Sequence, residues 1–155
     1  MFLLAIPLAL AVQTVPLEEP VAPYRQGNVN AGATPFSGDG MWRAFHGGAG
    51  VDRIVERFIA INQADPRIGD IFKGQDLIRL RRVLNEHFCH ILGGGCDYSG
   101  RTMKDAHRNM GIQSADMSAL VENLQQAMRS EGVSFAAQNR FLAKLAPMKR
   151  EVVER

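Results

Sequence analysis

The chain carries almost no excess charge: 18 Lys and Arg stand against 16 Asp and Glu, a formal net charge of +2. Bases and acids are interspersed, as in Asp52, Arg53, Glu56 and Arg57, the pattern of a solvated helix face. Nucleic acid is therefore not an expected partner. No apolar run reaches the roughly 20 residues that a spanning helix needs, so no stable membrane span is expected. No segment alternates apolar and polar residues with period two, which excludes strands. Only two cysteines are present. An oxidising compartment would allow them to pair. Cys89 falls on a helix and Cys96 beyond its glycine stop, however, so the geometry favours two free thiols. The chain also lacks a G-x-S-x-G elbow, a P-loop, a dinucleotide fingerprint and an H-E-x-x-H pair. Gly93-Gly94-Gly95 is no phosphate loop, because no Lys-Ser/Thr follows. Hydrolase and nucleotide chemistry have no support.

What is present is enough for one domain. The 155 residues are 46% apolar, which suffices for a real core. Residues 1–12 begin with a short apolar run, and Ala9-Leu10-Ala11 fits a secretory cleavage pattern. No Lys or Arg precedes the run, so a start at Met41 is the alternative. Export, to a periplasm, is the expectation, and a start at Met41 would leave the protein cytoplasmic. Residues 13–40 carry Pro16, Pro20, Pro23 and Pro35 among several glycines. They show no apolar period and read as a flexible linker without chemistry of its own.

From Met41 to residue 155 the pattern is helical. Trp42 and Phe45 lead into a break at Gly47-Gly48. Val51, Ile54, Val55, Phe58 and Ile61 then recur at helical spacing, and Asp65-Pro66 ends that helix. Ile71, Phe72 and Gly74 form a corner. Asp76 is a candidate cap for a helix with Leu77, Leu80, Leu84, Phe88 and Ile91 on one stripe, stopped by Gly93-Gly94-Gly95. A short helix over 102–109 carries His107. Ser114 and Ser134 are candidate caps for two more helices, the second kinked by Pro147. Four main helices joined by short corners pack as a globin-like or bundle arrangement.

Three groups of residues could carry chemistry. His107 lies four residues after Met103 and next to Ala106, small and apolar neighbours that would admit a flat macrocycle; a neutral imidazole is the usual proximal ligand of haem iron. Against that stands a plain, partly exposed histidine. Phe72, Leu80, Leu84, Phe88 and Leu92 give more apolar surface than one helix pair requires, although a hydrophobic core is the commoner use of such a stripe. His87, Cys89, His90 and Cys96 are zinc-competent, but their spacing matches no standard zinc pattern.

The residues from about Phe45 to Val153 resemble the truncated haemoglobins, specifically the first group. The markers, in order, are Gly47-Gly48, Phe58, Ala64-Asp65-Pro66, Phe72, Gly93-Gly94, Tyr98 with Gly100, Met103, His107 and Ile112. The resemblance implies an all-α, two-over-two helical sandwich binding haem b, with His107 as iron ligand. It implies a pocket lined by Phe72, Leu77, Leu80, Leu84, Phe88, Leu92, Met103 and Ile112. Arg79, Arg81 or Arg108 would reach the propionates.

The chain departs from the family pattern at two places. Ile59 stands where the family usually has a tyrosine that hydrogen-bonds the gas ligand, and Leu84 stands where a glutamine commonly assists. With Phe58 and Leu80 nearby, the distal pocket reads as apolar. His87 is the one nearby group that would restore polarity or bind iron, and a histidine facing another helix or solvent is the simpler expectation. The function implied is reversible binding of a diatomic gas (oxygen, carbon monoxide or nitric oxide) for transport or sensing. The alternative is a nitric oxide dioxygenase or peroxidase-type enzyme, served by a reductant that the sequence does not identify.

Overall fold

A computed structural model of the protein describes residues 17–154. The expected signal segment, residues 1–12, and the first residues of the expected linker lie outside the described residues. Among the described residues the architecture is all helical. Seven α-helices run α1 Gly40–Ala44, α2 Gly47–Ala64, α3 Leu77–Leu92, α4 Met103–Ala106, α5 Ser114–Ser130, α6 Phe135–Leu145 and α7 Lys149–Val152. Short 3-10 turns occupy Asn28–Ala31, Gly69–Phe72 and Ala146–Met148.

Local chemistry sets most of these boundaries. The break before α2 falls at His46, whose φ is 63°, so Gly47 and Gly48 open the helix and do not precede it. Asp65 takes an extended conformation and ends α2, as the following proline requires. The Asp76 side chain accepts the Arg79 N–H at 3.0 Å and starts α3. Gly93 ends α3 with φ 85°, a left-handed conformation that glycine adopts without steric cost. The cap of α5 falls at Gln113 rather than Ser114, and the Gln113 N–H donates to the Asp116 carboxylate at 2.8 Å. Ser134 caps α6 by accepting from Ala137 N–H. Pro147 cannot donate to the preceding turn, and the helix gives way there to a 3-10 turn.

Helix α2 packs on both α3 and α5. Between them lies a core of Ile54, Val55, Phe58, Phe88, Ile91, Leu92, Leu124 and Met128. Phe141 of α6 closes it, edge-on to Phe45 and to Phe88 at 5.1 Å between ring centroids in each case. Burying each such aromatic contributes about 1.5–3 kcal/mol. The corner after α2 is pinned separately. The Asp65 carboxylate accepts from the Arg67 guanidinium and from Asn123 of α5 at 2.9 Å. Those bonds, the Arg67 pair first, hold the Asp65 carboxyl well below the usual carboxylate range. The turn carrying Phe72 is thereby fixed relative to α5.

The N-terminal segment departs most from expectation. Residues 17–40 read as a linker, yet they lie against the helical body as a strap. The Phe36 N–H donates to the Ile91 carbonyl at 2.9 Å, and the Tyr24 hydroxyl donates to the Ser99 carbonyl at 2.7 Å. Asn28 pairs with Asp97 and with the Tyr98 N–H. Glu18 forms an ion pair with Arg82 and Arg79 of α3. Prolines and polar side chains leave no apolar period, so the attachment is made by individual hydrogen bonds.

Candidate functional site

Burial along α3 changes part-way. Leu77 to Glu86 are half-buried, while His87 to Leu92 are buried. The half-buried stretch includes Leu77, Leu80 and Leu84, which rest on the core with one side open. Met103 of α4 is likewise half-buried against the core. Phe72 in its 3-10 turn is half-buried too. Phe58, Ile59, Phe88, Leu92 and Ile112 are buried. The expected wall therefore consists of a buried set and a partly open set. Open apolar surface of this kind costs free energy in water, and a flat apolar partner would relieve it.

His107 caps the C-terminal end of α4, a helix shorter than the expected 102–109. Thr102 opens that helix by accepting the Asp105 N–H at 3.1 Å. The His107 Nδ1 lies 2.8 Å from the Met103 carbonyl oxygen. A carbonyl only accepts, so Nδ1 carries the proton and donates. In the neutral ring, Nε2 is then the nitrogen that keeps a lone pair. Metal-ligating histidines commonly have this arrangement, with the far ring nitrogen tied to a carbonyl that fixes tautomer and ring orientation. The chemistry of these residues fits a haem iron. The Met103 carbonyl is a part of the site that the sequence reading passed over, although its spacing of four residues from His107 was the available signal.

His87 is buried at 5% exposure, and its Nε2 donates to the Ala31 carbonyl of the strap at 2.8 Å. Its ring lies 5.2 Å from the Tyr98 ring. That engagement commits His87 to the strap. Burial pushes its pKa below the ordinary 6.5, with His90 and His107 adding to the effect. The folded chain thus refuses a proton that the unfolded chain accepts below about pH 6.5. Stability contributed by a neutral His87 is complete above that pH and is lost as pH falls through it. We expect His87→Gln to flatten the slope of stability between pH 7.5 and pH 5, as measured by urea denaturation. An unchanged slope would show that other groups set it.

One expectation is overturned. The cysteines are not free thiols: Cys89 and Cys96 form a disulfide with Cα atoms 5.7 Å apart. The glycine turn folds Cys96 back, and His90 Nδ1 donates to the Cys96 carbonyl at 3.0 Å, so the geometry that spacing made doubtful is met. The zinc set is not assembled, because both thiolates are used in that bond. Among the described residues no group of three or more metal-competent side chains occurs. The three propionate candidates each form ion pairs: Arg79 with Glu18 and Asp76, Arg81 with Glu56, and Arg108 with Asp105.

The comparisons agree on a family. The model of the bacterial-like globins matches residues 41–154. A group 1 truncated hemoglobin of Tetrahymena pyriformis is 32% identical over 76 residues, covering 49% of this chain and 63% of that protein. A group 1 truncated hemoglobin of Tetrahymena thermophila is 30% identical over 88 residues, covering 57% of this chain and 73% of that protein. The crystal structure of the Tetrahymena pyriformis protein in its Fe(III) form superposes with a TM-score of 0.71. Its identity is 23%, and the match covers 74% of this chain and 98% of that one. The chain therefore belongs to the bacterial-like globins and, within them, to the group 1 truncated haemoglobins, a family whose cofactor is haem iron.

Proposed function

We propose that this chain binds a diatomic gas reversibly at a five-coordinate haem iron with an apolar ligand side. The observation that carries the reading is the His107 Nδ1–H bond to the Met103 carbonyl, which leaves Nε2 as the iron ligand. Haem, when bound, supplies an iron with one coordination position for the gas. The protein does the rest. Phe72, Leu77, Leu80, Leu84 and Met103 cover the macrocycle and exclude water from it, with Phe88, Leu92 and Ile112 behind them. Phe58, Ile59, Leu80 and Leu84 form the wall facing the gas and provide no side-chain hydrogen-bond donor. Nitric oxide oxidation or peroxidase chemistry gains from a polar group that holds or polarises oxygen, and this wall lacks one.

Export to an oxidising compartment is part of the proposal. The Cys89–Cys96 bridge supports it, since disulfides persist in such compartments, and so does the apolar run at the start of the chain. No helix among the described residues is long and apolar enough to cross a membrane.

Absorption spectra of the purified protein with haem supplied test the function. We expect a Soret band, a five-coordinate ferrous spectrum and a single carbon monoxide adduct. No Soret band would overturn the reading, as would a six-coordinate ferrous spectrum.

A further inference from the structure

The disulfide, the glycine turn and the strap form one assembly. Gly93 faces the strap so closely that a Cβ there would meet the Phe36 and Gly38 carbonyl oxygens at 2.9 and 2.8 Å. Gly94 is wedged between the Cys89 sulfur and the Trp42 ring, where a Cβ would meet them at 2.6 and 2.8 Å. The loop beyond the bridge supplies a second group of strap contacts, beside those that α3 makes to Glu18, Glu19 and Ala31. Asp97 and the Tyr98 N–H hold Asn28, Gly100 accepts from Asn30, and Ser99 accepts from Tyr24. The Arg101 guanidinium sits over the Tyr24 ring at 5.1 Å. This loop, residues 96–101, follows α3 through the three-glycine turn and is held back against the helix by the Cys96 bridge, by Ser99 bonded to Glu86 and Arg82, and by His90 bonded to the Cys96 carbonyl.

Access to the bridge is also provided. Cys89 and Cys96 both line an open surface groove of about 790 Å³, together with Trp42, Ile78, Arg81 and Arg82. Ile78, Arg82, Asn85 and Cys89 lie on a flank of α3 roughly 140 degrees round from the centre of the Leu77, Leu80 and Leu84 stripe. The bridge therefore opens to solvent on a side of α3 other than the apolar wall. Glu18, Asp52 and Glu86 border it beside Arg81 and Arg82, and both guanidinium groups are paired with carboxylates, so no excess positive charge faces the bridge.

We propose that Cys89–Cys96 is a redox site for thiol–disulfide exchange with a dithiol, and that its oxidised form locks the strap onto the body. A thiolate of the dithiol attacks the sulfur of Cys96, the more exposed residue of the pair. The Cys89–Cys96 bond breaks, and Cys89 leaves as a thiolate that takes a proton. The second thiol of the reductant then attacks the mixed disulfide and releases Cys96 as a thiol. The dithiol is oxidised to a disulfide, and two electrons and two protons pass to the protein. Once the bridge opens, the 96–101 loop keeps its Ser99 bonds to Glu86 and Arg82 but loses the covalent tie at Cys96, and the bed on which Asn28, Asn30 and Tyr24 are seated loosens.

Limited trypsin digestion at the exposed Arg25 reads the lock without reference to haem. The oxidised protein is compared with protein treated with dithiothreitol, with reduction followed by thiol alkylation and mass. We expect cleavage after Arg25 to accelerate at least tenfold on reduction while helical circular dichroism is retained. Cys96→Ser should cleave at the reduced rate whether or not dithiol is added. The proposal fails if the bridge is reduced and cleavage is unchanged. It fails equally if the bridge resists dithiol without denaturant, or if cleavage accelerates only as helix content is lost. In that last case the bridge would be holding the whole fold, not the strap.

Discussion

His107→Ala should abolish stable haem binding while leaving the helices in place. His107 is partly exposed at the end of a four-residue helix, so its ring contributes little to the core. Its removal takes away the only proposed protein bond to iron. Loss of a hydrogen-bonded neighbour of a metal ligand commonly costs 10- to 100-fold in affinity. Loss of the ligand itself should therefore cost about 100-fold or more in haem retention, measured by transfer to an excess of apomyoglobin. Added imidazole should restore a five-coordinate ferrous spectrum, because the apolar walls of Leu77, Leu80 and Leu84 remain. Wild-type spectra and retention in His107→Ala would show that another residue binds the iron. The same experiment separates ligand from fold, since far-ultraviolet circular dichroism should match the wild type in either case.

Most of the helical body was legible in the sequence, because its helices are signalled by apolar periodicity and by caps. Phe58 and Phe88 fall on the expected faces, and Asp76, Gly93 and Pro147 punctuate the chain where their backbone preferences require. The strap was not legible for a physical reason. Its contacts are made by Asn28, Asn30, Tyr24 and Glu18 to backbone groups and charges more than fifty residues away. Such bonds leave no period along the chain. The bridge was missed for a related reason. A helix stop of three glycines can send the chain in several directions, and only the fold shows that this one returns Cys96 to Cys89. The position of His87 followed from the strap, because its partner is the Ala31 carbonyl. The histidine–carbonyl pair at His107 was half legible. The spacing to Met103 was visible, but the bond depends on α4 ending at Ala106.

The second large effect is expected at the ligand side. Ile59 is buried on α2 and Leu84 is half-buried on α3, and neither has a hydrogen to donate. A gas ligand that takes up negative charge on binding, as oxygen does, gains from a donor. Hydrogen bonds to charged groups contribute about 1.5–3 kcal/mol. At roughly 1.4 kcal/mol per tenfold, restoring one donor should tighten oxygen binding between about ten- and a hundredfold. We expect Leu84→Gln to show this cleanly, because its half-open position accommodates an amide of similar length. Ile59→Tyr should act in the same direction, but the larger ring enters a filled site, and overpacking costs about 1–3 kcal/mol of stability. Its melting temperature must be measured alongside its oxygen affinity. Carbon monoxide is less polar when bound and should gain little in either variant. The ratio of carbon monoxide to oxygen affinity should therefore fall, mainly through slower oxygen release. If Leu84→Gln folds as the wild type does and leaves both the oxygen dissociation rate and that ratio unchanged, Leu84 does not face the gas. The apolar character assigned to this wall would then have to be sought elsewhere in the pocket.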